Sequence, residues 1–414
     1  MLQQAFSRYI NSFRGFSREI WILTLVTFIN RAGTMVLPFL SKYLKEDLHF
    51  SYSEVGWVMV FFGSGSMIGS WLGGKLSDKL GFYKIMIFSL FTSGILIFCI
   101  QFITSFVGLC AGMFVVMIIA DMFRPAMYVS LGAYAKPENR TRAFTLVRLA
   151  VNLGFAAGPA LGGLIIMGIG YKGLFWIDGI SCVTAILIFA ILVKEKKKLS
   201  HEELESKEEV VVKSVFRDAQ FWIFLLGSYL TAMIFFQLFT TLPLYQSEWF
   251  HITEFQTGLL MSLNGLIIFF LEMPMVNYFE RKGFNKLRII IWGTFLVSLS
   301  YFAMLINVWA EILIIGMILI TFGEMLNFPF SNTFAMSRAP KGHEGRYMAL
   351  YTMSFSLAHI TSAKLGMEII DRYGYQTNWL VMGIMGLVAC MSFIYLNRMI
   401  LSEDINILKI DGSN

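Results

Sequence analysis

Charge is what this sequence has least of. Only 14% of its 414 residues are Asp, Glu, Lys or Arg, whereas 57% are hydrophobic and the mean hydropathy is +0.66. Soluble domains carry about 25% charged residues, so a soluble chain of two or three domains is excluded and a polytopic membrane protein is indicated. Cysteine is nearly as scarce. Cys99, Cys110, Cys182 and Cys390 all lie in apolar runs. They lack the spacing of a disulfide framework or metal site and read as small apolar fillers. No Walker loop, Cys/His metal spacing or nucleophile elbow appears in a setting that would use it. An enzyme is therefore unsupported and a self-contained ATP-driven pump is excluded. No cleavable signal peptide is read either: Met1–Ile20 is polar and carries Arg8, Arg14 and Arg18 before the first long apolar run. That stretch reads equally as a plain cytoplasmic tail or a short interfacial helix.

What the chain has instead is long apolar runs. A membrane helix takes about 20 mostly apolar residues. The pattern predicts spans near 21–43, 53–76, 83–103, 106–134, 141–168 and 172–193, then 219–246, 255–280, 286–306, 309–337, 346–371 and 377–399. The expected fold is an all-α integral membrane protein with twelve transmembrane helices in two pseudo-symmetric six-helix bundles. The parts are an N-terminal tail (1–20), a first bundle (21–193), a linker (194–218), a second bundle (219–399) and a C-terminal tail (400–414). The run from Lys194 to Glu209 is the only long, highly charged segment and reads as solvated. The net charge of +6 raises nucleic acid as a partner, but the cations are distributed by side. Lys75, Lys79, Lys84, Lys136, Arg140 and Arg142 fall on the side of the N-terminus, while the other side holds only Lys42, Lys45, Lys172 and Arg372. Positive charge marks the cytoplasmic loops, so both termini are expected in the cytoplasm and nucleic acid is not expected as a partner.

Against that apolar background the buried charges stand out. A charge at bilayer depth costs roughly 3 kcal/mol on insertion scales and marks a pathway by default. Met117-Ile-Ile-Ala-Asp-Met-Phe-Arg-Pro125 puts Asp121 and Arg124 three residues apart, on one helix face, in mid-span. Glu324 occupies the matching place 203 residues later. The Asp78–Lys84 segment returns as Glu280-Arg-Lys-Gly-Phe-Asn-Lys286 after 202 residues, and Arg142-Ala-Phe-Thr-Leu as Arg346-Tyr-Met-Ala-Leu. Parallel repeats of this kind build transporters with a site near the midplane. Asp121, Glu324 and Glu272 are the candidates for proton coupling. The neighbours of Glu324 one turn away are Ile320, Thr321, Asn327 and Phe328, so nothing on its own helix holds it ionised. Structural readings stay open beside these: a permanent Asp121–Arg124 ion pair, an interhelical hydrogen bond for Glu324, and a kink or gate at Glu272 beside Pro274. Candidates for the substrate cavity are Asn30, Arg31, Arg124, Arg148, Asn152, Gln237, Asn264, Asn327, His359 and Lys364. Lys364 reads equally as a cation snorkelling to the outer end, and His359 as a packed polar residue. Phe235, Phe236, Phe239, Tyr245 and Met261 suit an adaptable lipophilic lining or simply face lipid.

Gly74-Lys-Leu-Ser-Asp-Lys-Leu-Gly-Phe-Tyr-Lys84 resembles the loop between helices two and three of the major facilitator superfamily, G-x-L-x-D-[RK]-x-G-x-[RK]-[RK], with Tyr83 replacing one basic residue. With the spans, the linker and the repeat, the resemblance covers nearly the whole chain. It implies that superfamily's fold and a gating role for Gly74, Asp78, Lys79, Gly81 and Lys84; charge that only sets topology is the plainer alternative for the ionic residues. Gly154-Phe-Ala-Ala-Gly-Pro-Ala-Leu-Gly-Gly163 spaces Gly154, Gly158 and Gly162 four apart, a stripe for close backbone approach. With Pro159 and Gly163 it is similar to the antiporter motif of the family's drug:proton exporters, and helix eleven keeps only Gly366 of it. Helix four departs from the family pattern: Met113 and Phe114 stand where an arginine is usual, well before Pro125. Asn30-Arg-Ala-Gly-Thr-Met and Asn152-Leu-Gly are faintly similar to peptide transporters, without their glutamates. The resemblance implies a secondary active transporter working by alternating access. The first reading is export of amphipathic or drug-like molecules driven by the proton gradient, with no cofactor or metal. Proton-coupled uptake of a peptide, sugar or organic anion is the alternative, since Arg31, Arg124 and Arg148 suit an anionic group. A non-transporting receptor or scaffold is a remote third. The expected partners are a small-molecule substrate, protons and the lipid bilayer, and the expected state is a monomer in a bacterial inner or plasma membrane.

Overall fold

Lipid offers the backbone no hydrogen-bond partner, so a spanning segment must satisfy its own amides as a helix. The computed structural model describes residues 15–135, 140–195, 215–339 and 344–411, and every long element among them is helical. The first span is interrupted: α1 (Arg18–Gly33) is followed by α2 (Val36–Lys42), which runs on through a π turn at Tyr43–Asp47. Next come α3 (Tyr52–Leu80) and α4 (Phe82–Ile100). The fourth span is interrupted as well, into α5 (Phe106–Ala120) and α6 (Phe123–Tyr134). Then follow α7 (Arg140–Ile169), α8 (Lys172–Leu192), α9 (Ala219–Phe250), α10 (Glu254–Arg281), α11 (Lys286–Ala303), α12 (Ile312–Arg338) and α13 (Glu344–Asp411).

Among the described residues eleven helical stretches are long and apolar enough to cross a membrane, the last of them 57 residues, Tyr347–Glu403. At 1.5 Å per residue such a stretch is about twice as long as a bilayer core needs. The backbone leaves the helix at Gly374 (φ 78, ψ 175), in the left-handed region that glycine alone enters freely. Counted on either side of this break, α13 is two spans and the total is the expected twelve.

The chain forms two compact units. One comprises Met1–Phe50, Trp57–Ser200 and His251–Phe269; the other comprises Ser51–Gly56, His201–Phe250 and Phe270–Asn414. In the first unit α1 packs on α7 and α8, and α4 on α8, around a core that includes Leu23, Met86, Leu131 and Phe189. In the second, α9 packs on α13 and α11 on α12, around Phe221, Phe224, Ile290 and Phe393.

The repeat appears in local geometry. His49 (φ 57) and His251 (φ 53) are the only non-glycine residues with positive φ among those described. Each precedes a reciprocal capping box. The Ser51 amide donates to Glu54 Oε2 (2.9 Å) and the Glu54 amide to Ser51 Oγ (3.3 Å). Likewise the Thr253 amide donates to Gln256 Oε1 (3.0 Å) and the Gln256 amide to Thr253 Oγ1 (3.3 Å). Tyr171, just after positive-φ Gly170, donates to Glu46 Oε2 (2.6 Å), and Tyr375, just after Gly374, donates to Glu248 Oε2 (2.9 Å).

One cap sits outside the spans and ties three helices of the second unit. Asp218 Oδ1 accepts the Phe221 amide (3.1 Å) at the start of α9. Its carboxylate also takes both arms of Arg338, from the end of α12 (3.0 and 3.1 Å), and the Tyr347 hydroxyl from α13 (3.1 Å). Burial pushes the Asp218 pKa up, but the bonds from Arg338, Phe221 and Tyr347 outweigh it and leave the group below its ordinary 3.8. A carboxylate held low in this way stabilises the fold above its unfolded pKa and ceases to do so as pH falls through the folded value. Asp218→Asn is therefore expected to lower the midpoint of thermal unfolding of the purified protein at pH 7. The gap between wild type and variant should close as the pH is taken below 3.8. A gap that stays constant with pH would contradict it.

Candidate functional site

Proline places the first charge cluster. Pro125 has no amide to offer the carbonyl of Asp121, four residues earlier, and its ring crowds that carbonyl. The helix accordingly stops at Ala120, Asp121 adopts φ −81 and ψ −1, and α6 begins at Phe123. Asp121 is buried at this break, where the Ser66 hydroxyl of α3 donates to its Oδ2. Ser66 can reach because Gly65, Gly69 and Gly73 let α3 lie directly on α5. A Cβ on Gly69 would sit 2.3 Å from the Ile118 carbonyl oxygen, and one on Gly73 2.6 Å from Met122 Cα.

Arg124 Nη2 lies 3.7 Å from Asp121 Oδ1, and its side chain is 49% exposed. An ion pair that long and that exposed contributes about 0–1 kcal/mol, too little to explain keeping two charges in an apolar span. Arg31, in the last turn of α1, places its guanidinium carbon 5.8 Å above the Phe155 ring, within cation–π range. Both Arg124 and Asp121 act on its charge. Three of the residues singled out from the sequence (Arg31, Asp121, Arg124) thus form one cluster in the first unit, and Ser66 completes it.

The other first-unit candidates are placed differently. Asn30 is buried and donates to Cys182 Sγ (3.4 Å), so it links α1 to α8. Arg148 is exposed, and Asn152 and Asn264 are half-buried. The glycine stripe of α7 meets the interrupted first span. Added Cβ atoms on Gly154 and Gly162 would lie 2.6 Å from Arg31 Cβ and 3.0 Å from the Phe39 ring. The opposite face of α7 takes the start of α10: a Cβ on Gly163 would be 2.5 Å from the Glu254 carbonyl oxygen, and one on Gly258 2.2 Å from that of Pro159.

Sequence reasoning missed three groups. Asp178 in α8 is a buried carboxylate within an apolar run, and the rule that singled out Asp121 would have found it. Lys42 and Glu254 form the second group. Lys42 read as a topological charge, yet its side chain is fully buried and its Nζ lies 2.9 Å from Glu254 Oε1 and 3.8 Å from Glu46 Oε1. The paired capping boxes, at one 202-residue spacing, are the third.

In the second unit Gln237 and Asn327 are occupied in helix packing. Gln237 Nε2 donates to the Ser362 carbonyl (2.8 Å) and hydroxyl (3.0 Å), joining α9 to α13. Asn327 donates to Thr294 Oγ1 (2.7 Å) and accepts from Ser331 (3.1 Å). Glu272 is buried and Glu324 half-buried. The His359 ring lies 4.5 Å from Phe236, which adjoins a set of edge-packed rings, Phe235, Phe239 and Phe328. Tyr245 stands apart from that set, packed on Trp379 and Tyr375, and Met261 is buried in the first unit. Lys364 is tied to Glu368 Oε2 (2.8 Å) and Ser53 Oγ (2.8 Å).

In the loop after α3, Gly81 has φ 92 and needs to be glycine, whereas a Cβ on Gly74 would meet nothing within 4 Å. Lys79 and Lys84 are exposed, and the Asp78 side chain lies outside the described residues. Among the described residues no group of three or more His, Cys, Asp or Glu is placed to hold a metal ion.

A family model described as Major Facilitator Superfamily matches residues 21–363 and 248–402. The chain is 24% identical to the "Uncharacterized MFS-type transporter YttB" of Bacillus subtilis (strain 168), over 86% of this chain and 89% of that one. It is 22% identical to a "Na(+), Li(+), K(+)/H(+) antiporter" of Planococcus maritimus (89% and 92% covered). To the "Quinolone resistance protein NorA" of Staphylococcus aureus (strain COL) it is 24% identical (77% and 82% covered). Among solved structures, a POT family transporter in complex with 5-aminolevulinic acid superposes with a TM-score of 0.80, covering 94% of this chain and 98% of that one at 16% identity. At that identity the likeness is one of fold.

The glycines separate into those that packing requires and those it does not. Gly69→Ala is expected to destabilise the purified protein, because its Cβ would strike the α5 backbone. Gly74→Ala should be neutral or stabilising by up to about 1 kcal/mol through helix propensity. Thermal unfolding of the two variants checks this, and equal shifts for both would contradict the packing assigned to α3.

Proposed function

Because the chain belongs to the Major Facilitator Superfamily, we propose that this multi-pass membrane transporter exports amphipathic or drug-like small molecules in exchange for protons, by alternating access. The observation that carries the reading is the Asp121 cluster: a buried carboxylate at a helix break, with one hydroxyl donor and two arginines around it. Ionised, Asp121 offsets part of the charge of Arg31 and Arg124. Taking up a proton removes that balance and changes the electrostatics of three spans at once, which is how a proton can be linked to the state of the bundle. In the second unit, Glu324 is the carboxylate assigned to the same task, and the Phe235–Phe236–Phe239–Phe328 rings beside His359 are the surface assigned to an apolar substrate.

The direction of transport rests on two supports: the α7 glycine stripe that resembles the antiporter motif, and relatives named as a cation/proton antiporter and a quinolone resistance protein. Both termini are assigned to the cytoplasm on the charge pattern, and the working unit is assigned as a monomer. One observation favours a second reading, proton-coupled uptake of an organic anion: two arginines share the first-unit cluster with a single clustered aspartate.

The test uses everted membrane vesicles with a preset pH gradient. Addition of a lipophilic cation that the protein exports should dissipate the gradient. Glu324→Gln should abolish gradient-driven uphill transport while retaining exchange of substrate for substrate. Uphill transport at the wild-type rate in Glu324→Gln would relegate Glu324 to structure. Accumulation, rather than depletion, of substrate in cells that carry the protein would select the uptake reading.

A further inference from the structure

Pro159, Pro243, Pro274 and Pro329 stand inside helices that run on past them. Three of these helices lie whole within one unit, α7 in the first and α9 and α12 in the second. The helix that holds Pro274, α10, is shared: residues 254–269 belong to the first unit and residues 270–281 to the second. Pro274 has no amide to give to the carbonyl four residues before it, that of Phe270, and its ring crowds that carbonyl. One intrahelical bond is thus one the helix cannot make, at the residue where it passes from one unit to the other. Prolines are also where helices bend most sharply.

The two parts of α10 are held differently. Residues 254–269 lie backbone to backbone on α7: a Cβ on Gly163 would be 2.5 Å from the Glu254 carbonyl oxygen, and one on Gly265 2.7 Å from Ala156 Cα. At its Oε1 the Glu254 carboxylate also takes the Lys42 ammonium (2.9 Å) and the Tyr171 hydroxyl (3.4 Å), so α2 and the start of α8 grip the same end. The Lys42 side chain is fully buried, and drawing Glu254 away would leave a buried charge short of its partner. Residues 270–281 pack through side chains instead. Val276 and Phe279 lie on the core of the second unit, with the Phe279 ring 6.2 Å from that of Phe330.

We propose that residues 270–274 of α10 are a hinge. Residues 254–269 keep their place in the first unit through the transport cycle, residues 270–281 move with the second, and the bend at Pro274 takes up the difference. The helix therefore does not tilt as one rod. The hinge rests on the reading of the chain as an alternating-access transporter, and not on its substrate, its direction or its coupling to protons.

Double electron–electron resonance on the full-length protein in lipid nanodiscs tests this, with spin labels on introduced cysteines in a Cys99→Ser background. One pair is Met167→Cys with Gln256→Cys, both exposed positions of the first unit. The other is Met167→Cys with Tyr278→Cys, an exposed position beyond the proline. Distances are compared at pH 8 and pH 5, with and without tetraphenylphosphonium. The first distance is expected to stay fixed and the second to change by about 4 Å, the throw of roughly eight helical residues bent by about 20°. Pro274→Ala, which restores the amide, is expected to cut that change by half or more, and Pro274→Gly to keep it. A similar change in both pairs means that α10 tilts as a rod and overturns the proposal. No change in either pair overturns it too, as does a Pro274→Ala variant that moves as far as the parent. If that variant cannot be recovered folded, the two pairs in the parent decide alone. Proton movement in vesicles is read separately. Distances that behave as expected without proton movement keep the hinge and remove proton exchange, and proton movement with both distances fixed does the reverse.

Discussion

A helix in lipid must satisfy its own backbone, and it gives up that arrangement only where something else in the protein takes over the freed groups. Two spans of the first unit are interrupted, each four residues before a proline. At the fourth span Pro125 removes the amide that the Asp121 carbonyl would have used, and the side chain freed at that point meets Ser66 and Arg124. At the first span Pro38 likewise has no amide to offer the carbonyl of Thr34, the residue at which α1 ends. Arg31 sits between the two places. Charge and break therefore coincide at the fourth span, where the backbone has stopped being self-sufficient.

The twofold repeat is kept most faithfully where it governs helix starts. The left-handed histidines, the capping boxes and the Glu46–Tyr171 and Glu248–Tyr375 bonds recur in both halves of the sequence. It is kept least at the charged centres. The counterpart of the broken fourth span, α12, runs unbroken through Glu324 and Pro329. The glycine stripe of α7 leaves only Gly366 in α13, where an added Cβ would meet the Gln237 side chain at 2.4 Å. The two halves thus share their helix starts and differ in backbone at their charged centres.

Most of the architecture was legible in the sequence because the physics that sets it is local. Run length gives the spans, and helix ends fall within a few residues of expectation apart from the C-terminal extension of α13. The interruptions were not anticipated. Both were readable in principle from a proline four residues on, Pro125 after Asp121 and Pro38 after Thr34. Site residues divided on the same line. Arg31, Asp121 and Arg124 stood out as charges in apolar sequence and do cluster. Gln237, Asn327 and Asn30 stood out equally, and each donates to a neighbouring helix, a partner that sequence alone does not reveal. Lys42 was hidden by its place near a span end, where a cation is expected on topological grounds, although its partner Glu254 makes it part of the packed interior.

The central claim is that the carboxylate at the break of the fourth span exchanges a proton as substrate binds. Purified protein in weakly buffered detergent solution, with a pH-indicating dye and saturating substrate, measures this in one step. The account predicts release of protons on substrate addition by the wild type, and a release reduced or absent in Asp121→Asn when that variant still binds. Binding with no proton release in the wild type, or the same release in Asp121→Asn, would contradict it.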